Sequence, residues 1–438
     1  MWQLIKEEMN IEQLYQLYIN STGVSTDTRK IEKGNLFFAL KGPSFNANEF
    51  AANALALGAS AVVVDEANAY LKDDKRYFLA EDALQSLQQL ANYHRKKLNI
   101  PIIAITGTNG KTTTKELVHI VLGKKYTSKA TIGNLNNHIG VPLTLLSMDE
   151  KTEIGIVEMG ANKIGDIHEL CQIAEPTHGL ITNIGKAHLE GFGDFDGVLR
   201  TKTELYQYLI AHQGTVFINT DNPILSNMAK RFEDPVLYPE PESFFECTLV
   251  EANPFVKFQT ADGTRHSTKM LGAYNFGNIA SALTVGKYFG ISEEAAIAAI
   301  AEYIPSNMRS QLIEKRSNMI LLDAYNANPS SMEEAISAFG KMTGKKHKMI
   351  ILGDMFELGQ SEVEEHQKIG TLVSQLDIEK ICFTGKLMQH ALANAPRGLY
   401  FPDPFSLRNW LQDSRLEDYL ILIKGSRGMK LEGLVDFI

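Results

Sequence analysis

The residues best placed to do chemistry lie in Ala104-Ile105-Thr106-Gly107-Thr108-Asn109-Gly110-Lys111-Thr112-Thr113, where an apolar run breaks into a glycine-containing loop and then a helix-forming stretch. Glycines let the backbone curl until its N–H groups point inward at phosphate oxygens. Lys111 can neutralise the terminal phosphates, and the Thr112 hydroxyl can ligate Mg²⁺. The helix start adds a favourable field for an anion. The longer form of this motif wants glycine at position 105, where Ile105 stands, so the match is to a shortened GxxGKT form. The pattern predicts nucleotide binding by Gly107, Thr108, Asn109, Gly110, Lys111, Thr112 and Thr113. A phosphate loop alone does not say what the phosphate is used for.

Three further residues stand where they could handle metal and phosphate. Glu158 follows the apolar run IGIV, so it ends a strand at a point from which a carboxylate can reach Mg²⁺, a hard cation that favours oxygen ligands. A solvated loop acid is the alternative. His188, in ITNIGKAHLEGFG, is delivered among glycines after another apolar run. Mg²⁺ seldom takes nitrogen, so a metal role and a hydrogen-bonding structural role are both open. Lys202, in LRTKTELYQYL, reads as a solvated charge on an amphipathic helix. A neutral lysine can also react with CO₂ to give a carbamate, an anion able to ligate metal, which a sequence cannot show.

The elements that must position these groups are legible from periodicity. Asn35 to Leu40 and Ala61 to Asp65 read as strands around a helix at Glu49 to Leu57. A helix at Ala83 to Lys97 leads to Pro101. Beyond it, strand-like runs at 102–106, 154–157, 179–182 and 215–219 alternate with helical stretches, the signature of a parallel sheet covered by helices. A hairpin around Asp262-Gly263 interrupts the rhythm. Helices at 275–289 and 293–302 close at Pro305. Apolar runs at 319–322, 349–352, 381–383 and 419–423 then repeat the alternation as a second doubly wound unit. Three of its strands end in polar loops, DAYNANP, GDMFELG and KGSRG, which should face one cleft, since ligands of open α/β sheets bind outside the carboxyl ends of strands. The expectation is an α/β protein of three domains: a small α/β domain at 1–82, a central parallel-sheet ATPase domain with the phosphate loop at 83–305, and a Rossmann-like domain at 306–438.

Composition bounds the function. With 438 residues, 44% hydrophobic and 22% charged, the chain is long enough for several cores. A formal charge of −9 argues against nucleic acid as partner, because such proteins displace counterions with a cationic surface. Cys171, Cys247 and Cys382 are too scattered for a metal knuckle or a disulfide framework and read as buried small residues in a reducing compartment. The first residues, MWQLIKEEMNIEQLYQLY, lack the basic start and apolar core of a signal peptide, and no run approaches the ~18 apolar residues needed to span a bilayer. A cytoplasmic monomer without membrane insertion is expected.

In their order along the chain, GTNGKTT, VEMGA, NIGKAHLEGFG and RTKTELY resemble the central domain of Mur ligases, with part of the pattern shared by folylpolyglutamate synthetase. The resemblance implies that the phosphate loop binds ATP through Lys111, that Glu158 and His188 serve two magnesium ions together with Thr112, and that Lys202 is carbamylated and acts as a metal ligand. LGAYNFGNIASAL is similar to the family stretch lying by the adenine, which implicates Asn275 and Asn278; both could equally be helix caps. The resemblance extends the nucleotide set to Arg309, Asp323 and Asn326. DAYNANPSSM, LGDMFELG and KGSRGMKLE resemble the branch that adds a D-alanyl-D-alanine dipeptide, and STDTRKIEKGNLFFALKG the domain that holds a UDP-sugar. Substrate-binding residues implied are Ser25, Thr26, Arg29, Asn137, Tyr325, Asn328, Lys424 and Ser426. Against these stand blander readings: a turn-rich loop for DAYNANP, capping roles for Asp354 and Glu357, and a surface cation for Lys424 or Arg427. Two departures are visible, Leu322 where relatives often carry a second acid before Asp323, and Asn46 to Phe50 in place of an Asp-Gly-His type segment. The implied reaction joins D-alanyl-D-alanine to UDP-N-acetylmuramoyl-tripeptide through an acyl phosphate, serving cell-wall synthesis and so cell shape and division. An ATP-gated binding protein that lost ligation is the rival from another class.

Overall fold

The structure is a computed structural model describing residues 10–186 and 189–438. A four-stranded parallel sheet comes first, with β1 (Val24–Ser25), β2 (Leu36–Phe38), β3 (Ala61–Val64) and β4 (Tyr77–Leu79) side by side in chain order. Helix α1 (Ala83–Leu98) follows, capped by Asp82 and ended by Asn99 in the left-handed conformation. Its Leu87, Leu90 and Ala91, spaced along one face, share a core with Leu36 and Val63 on one side and Ile102 on the other. The helix therefore ties the first sheet to the second.

The central sheet consists of β5 (Ile102–Thr106), β6 (Ser128–Ala130), β7 (Ile154–Glu158), β8 (His178–Ile181), β9 (Thr215–Asn219) and β10 (Val236–Tyr238). Its spatial order is β10-β9-β8-β5-β7-β6, with every pair parallel. Side chains alternate between two cores: Ile102 and Ala104 face one, Ile103 and Ile105 the other. All four are fully buried, which is why β5 reads as an unbroken apolar run rather than an alternating one. Each of the three isoleucines contributes about 1.5–3 kcal/mol by leaving water. Helices α2 (Lys111–Leu122), α3 (Phe195–Ala211), α4 (Asn275–Tyr288) and α5 (Glu293–Glu302) belong to this region. The hairpin expected at Asp262-Gly263 is present within a three-stranded antiparallel sheet of β11 (Cys247–Ala252), β12 (Phe255–Thr260) and β13 (Arg265–Leu271).

The last sheet has the order β14-β15-β19-β16-β17-β18, from β14 (Gln311–Lys315), β15 (Asn318–Asp323), β16 (His347–Gly353), β17 (Lys380–Thr384), β18 (Leu399–Phe401) and β19 (Tyr419–Lys424). It is parallel except for the edge strand β14, which pairs antiparallel with β15. Strand β14 was not foreseen, because its QLIEK lacks a clean apolar run. Helices α6 (Pro329–Lys341) and α7 (Glu362–Ser374) connect its strands. The three cysteines are buried and free. Among the described residues no helix is long and apolar enough to cross a membrane.

Candidate active site

The phosphate loop joins β5 to α2. Gly107 has φ 141° and Gly110 φ 77°, and a Cβ at Gly107 would stand 2.0 Å from the Thr182 hydroxyl, so the loop has no room for a side chain there. Helix α2 opens on Gly110 without any side-chain cap, leaving its first-turn amides open to an anion. Lys111 folds its ammonium back on its own loop, donating to the carbonyls of Gly107 (2.7 Å) and Thr108 (3.0 Å). Burial draws its pKa down to about 8, with Glu158 opposing and Arg309 reinforcing the shift.

Register explains the position of Glu158. In the parallel β5–β7 pair it sits opposite Ile105, one step before the loop, and it is buried. Its two carboxylate oxygens accept from the Thr112 hydroxyl (2.8 Å) and from the Asn136 amide (2.7 Å). The solvated-acid reading is thereby excluded. Among the described residues no group of three or more His, Cys, Asp or Glu side chains gathers around a point. One carboxylate beside one hydroxyl nevertheless suits Mg²⁺, which keeps several waters and draws its other ligands from nucleotide phosphates. His188 lies outside the described residues.

Lys202 corrects the surface reading. It is 2% exposed on α3, on the face that also buries Val198, Leu205 and Leu209. Its ammonium lies 5.5 Å over the Phe192 ring and within ion-pair distance of no carboxylate among the described residues. Glu204, two residues on, is already engaged by the backbone N–H groups of Gly165 and His168. Burial, then repulsion from Lys111, lowers the Lys202 pKa to about 7. A buried amine with a large neutral fraction near pH 7 meets the chemical requirement for reaction with CO₂.

Asn275 and Asn278 do not cap a helix. Asn278 accepts from the Thr114 hydroxyl and donates to Asn275, which in turn donates to the carbonyl of Leu271. This chain of bonds sets the Asn278 amide against the phosphate loop, where a Cβ at Gly110 would meet its Oδ1 at 2.5 Å.

From the last sheet, Asp323 and Lys424 end the neighbouring strands β15 and β19 in register and form an ion pair of 2.5 Å, with Lys424 2% exposed. Lys424 is thus no surface cation. Arg309 stacks 3.8 Å from the Tyr325 ring centre, and its buried Nε has no hydrogen-bond partner among the described residues. Asn328 caps α6 through a capping box, which the turn reading of DAYNANP did not include, and also donates to Asn109 Oδ1 across the cleft (2.9 Å). Together with the phosphate loop, Glu158, Asn137, Asn275, Asn278 and Asn326, these residues line one cavity of about 770 Å³. That size lies within the range of small-molecule sites.

Other sequence candidates stand elsewhere. Ser25 bonds to the backbone of Asp27, and Arg29 pairs with the Asp27 carboxylate, holding it down to about 2; neither they nor Thr26 line this cavity. Ser426 is buried, its hydroxyl accepting from the Phe356 amide, so it braces the loop rather than facing the cleft. The expectation of three loops at one cleft holds for two. In the third, Asp354 accepts from the amides of Leu387 and Met388, a turn distant in the chain rather than the segment that follows it. The cavity also takes in Asn136, Asn183 and Glu334, which sequence reasoning passed over. Asn136 stands in GNLNNHIG, a polar loop after β6, and that strand-end position was the available signal.

Comparison with known proteins agrees with this geometry. The Mur ligase middle domain matches residues 105–286, the Mur ligase glutamate ligase domain 308–427 and the Mur ligase family catalytic domain 20–95. A Bacillus subtilis protein named UDP-N-acetylmuramoyl-tripeptide--D-alanyl-D-alanine ligase is 35% identical over 94% of this chain and 92% of its own. The chain belongs to the Mur ligase family. An Escherichia coli Mur ligase of the same name is 32% identical over 95% of this chain and 93% of its own. Among solved Mur ligases, MurF from Acinetobacter baumannii superposes with a TM-score of 0.86 at 28% identity, covering 98% of both chains. MurF from Thermotoga maritima, solved in complex with ADP, gives 0.84 at 26% identity, covering 96% of this chain and 97% of that one.

Proposed function

We propose that this Mur ligase joins D-alanyl-D-alanine to UDP-N-acetylmuramoyl-tripeptide, converting ATP to ADP and phosphate, in the cytoplasmic stage of peptidoglycan synthesis. The observation that carries the reading is near-full-length similarity to ligases of that name, on a chain whose cavity is built from the strand ends of two α/β sheets. In the reading, residues 1–82 hold the UDP-sugar through Ser25, Thr26 and Arg29. Residues 83–305 hold ATP, and residues 306–438 bring the dipeptide through Tyr325, Asn328 and Lys424.

A carboxylate resists attack by an amine because its leaving group would be oxide. Phosphorylation removes that obstacle. The tripeptide carboxylate attacks the γ-phosphorus of ATP, ADP leaves, and the acyl phosphate so formed is open to the dipeptide amine. The C–N bond forms, the C–O bond to phosphate breaks, and inorganic phosphate departs. The protein contributes position and charge, which dominate phosphoryl transfer. The α2 amides and Lys111 hold the phosphates, which draws the Lys111 ammonium off the carbonyls of its own loop. Asn278 and Asn275 border the adenine, and Arg309 meets the phosphates from the other side of the cleft. Thr112 and Glu158 would hold Mg²⁺, and His188 with a carbamate on Lys202 a second ion. Such ions would supply positive charge to the transferring group.

The test is phosphate release from ATP and Mg²⁺ with UDP-sugar tripeptide, with and without D-alanyl-D-alanine, with product mass read in parallel. Release that requires both substrates, with a product heavier by the dipeptide, is expected. A Lys111→Ala variant that formed this product at the wild-type rate would sink the reading.

A further inference from the structure

Helix α6 starts in the cleft and runs away from it. Asn328, Ser331 and Glu334 recur at three-residue spacing, so they share a face, and all three line the cavity. Met332, Ala335, Ile336 and Phe339 on the opposite side are buried in the core, which fixes the rotation of the helix. Asn328 and Ser331 satisfy each other in the capping box. Glu334 is left over: its carboxylate has no hydrogen bond or ion pair to any described residue.

None of the cavity's neighbouring polar groups bonds to Glu334 among the described residues. Lys424 is bonded to Asp323, Arg309 is stacked on Tyr325, and the Tyr274 hydroxyl is bonded to Ser310. Glu333, beside it on the helix, adds only negative charge, and both side chains are exposed, that of Glu334 on the cavity wall. Water reaches the Glu334 side chain, yet the cleft walls that crowd its carboxyl push it above the usual carboxylate range, against the pull of Lys424. The cleft thus contains a carboxylate without a partner, on the side of the cavity formed by the last sheet. Of the groups that react in the proposed ligation, one is a cation, the ammonium of the incoming dipeptide. It must lose a proton before its nitrogen has a lone pair to donate.

We propose that Glu334 is the catalytic carboxylate that receives the dipeptide ammonium and accepts its proton before attack. The assignment rests on the ligase reading. Proton transfer leaves a neutral amine and a protonated Glu334. The amine lone pair forms the C–N bond, the C–O bond to phosphate breaks, and the second nitrogen proton leaves with the departing phosphate. Glu334 returns its proton to water when product is released.

The experiment compares full-length wild type with E334Q and E334D, using ATP, Mg²⁺, UDP-sugar tripeptide and varied D-alanyl-D-alanine from mildly acidic to alkaline pH. In E334Q, kcat/KM for the dipeptide should fall about 10²-fold or more, the low end of general-base effects. KM for ATP and for the tripeptide should stay put. The acidic limb of the wild-type profile should carry two ionisations, and that of E334Q only the amine's own, near about 8. E334D should recover part of the loss, and thermal melting should show all three chains folded. An E334Q enzyme with the wild-type dipeptide kcat/KM and the same acidic limb overturns the assignment while leaving the ligase intact. A wild type that releases no phosphate in response to the dipeptide brings down the ligase reading itself.

Discussion

Two lysines at the centre of the cleft show how one side-chain type is given two tasks by its surroundings. Lys111 has carbonyls to donate to, and an arriving phosphate replaces them with stronger charge-assisted bonds. Lys111→Ala should therefore cost about 10²–10³ in kcat, as removal of a donor aimed at developing charge generally does, and steady-state phosphate release would measure it. Lys202 has no hydrogen-bond acceptor among the described residues, and burial holds its pKa at about 7 against 10.5 in the unfolded chain. Between those values the unfolded state binds the extra proton, so this residue makes stability rise with pH through that window. Below it both states are charged and the full cost of burying the ammonium remains. Lys202→Met should thus raise the melting temperature relative to wild type most at pH 6, with the gap closing as pH rises. A gap independent of pH would show that burial of charge is not what Lys202 contributes. The same variant should lose ligase activity in the assay above, since methionine can form no carbamate.

At the scale of elements, the phosphate loop is fixed by what surrounds it as much as by its own glycines. Gly110 combines a positive φ with an Asn278 oxygen 2.5 Å from where a Cβ would sit, so Gly110→Ala must push away the amide that borders the proposed adenine site. The expected cost is about 1–3 kcal/mol in stability for the strained conformation, with weaker nucleotide binding. Chemical denaturation and ATP titration by calorimetry would read the two effects separately. The elements themselves were legible where a local cause is written in the chain. β5, β7, β8 and β9 are apolar runs because both sheet faces are covered, and they fall within a residue of expectation. β14 was not legible, because its pairing is decided by β15 rather than by its own residues. The same division holds within the site. Glu158 follows from its strand end, whereas the burial of Lys202 depends on how α3 lies on the sheet, and a helical period alone does not say which polar position is covered. Asn136, next to the Asn137 singled out from sequence, was lost by one residue because a loop carries no period.

At the scale of the molecule, the cleft is bridged from both sides. Asn109 of the phosphate loop meets Asn328, the backbone N–H of Lys186 donates to Ser330, and the Lys186 ammonium reaches Glu365 at 3.4 Å. These contacts join the phosphate-binding unit to α7 and to α6, the helix that carries Glu334 and is capped by Asn328. Asn328 holds two roles that substitution can separate. Serine caps a helix about as well as asparagine but is too short to reach Asn109, whereas alanine does neither. Asn328→Ala should lose about 1 kcal/mol of stability with the cap, and Asn328→Ser only a few tenths. Both lose the bridge, so both should show a larger radius of gyration in small-angle scattering and a higher KM for ATP. If Asn328→Ser scattered as wild type does and bound ATP with unchanged KM, the bridge would be a by-product of closure and the loop-to-helix contact would not help to hold the two units together.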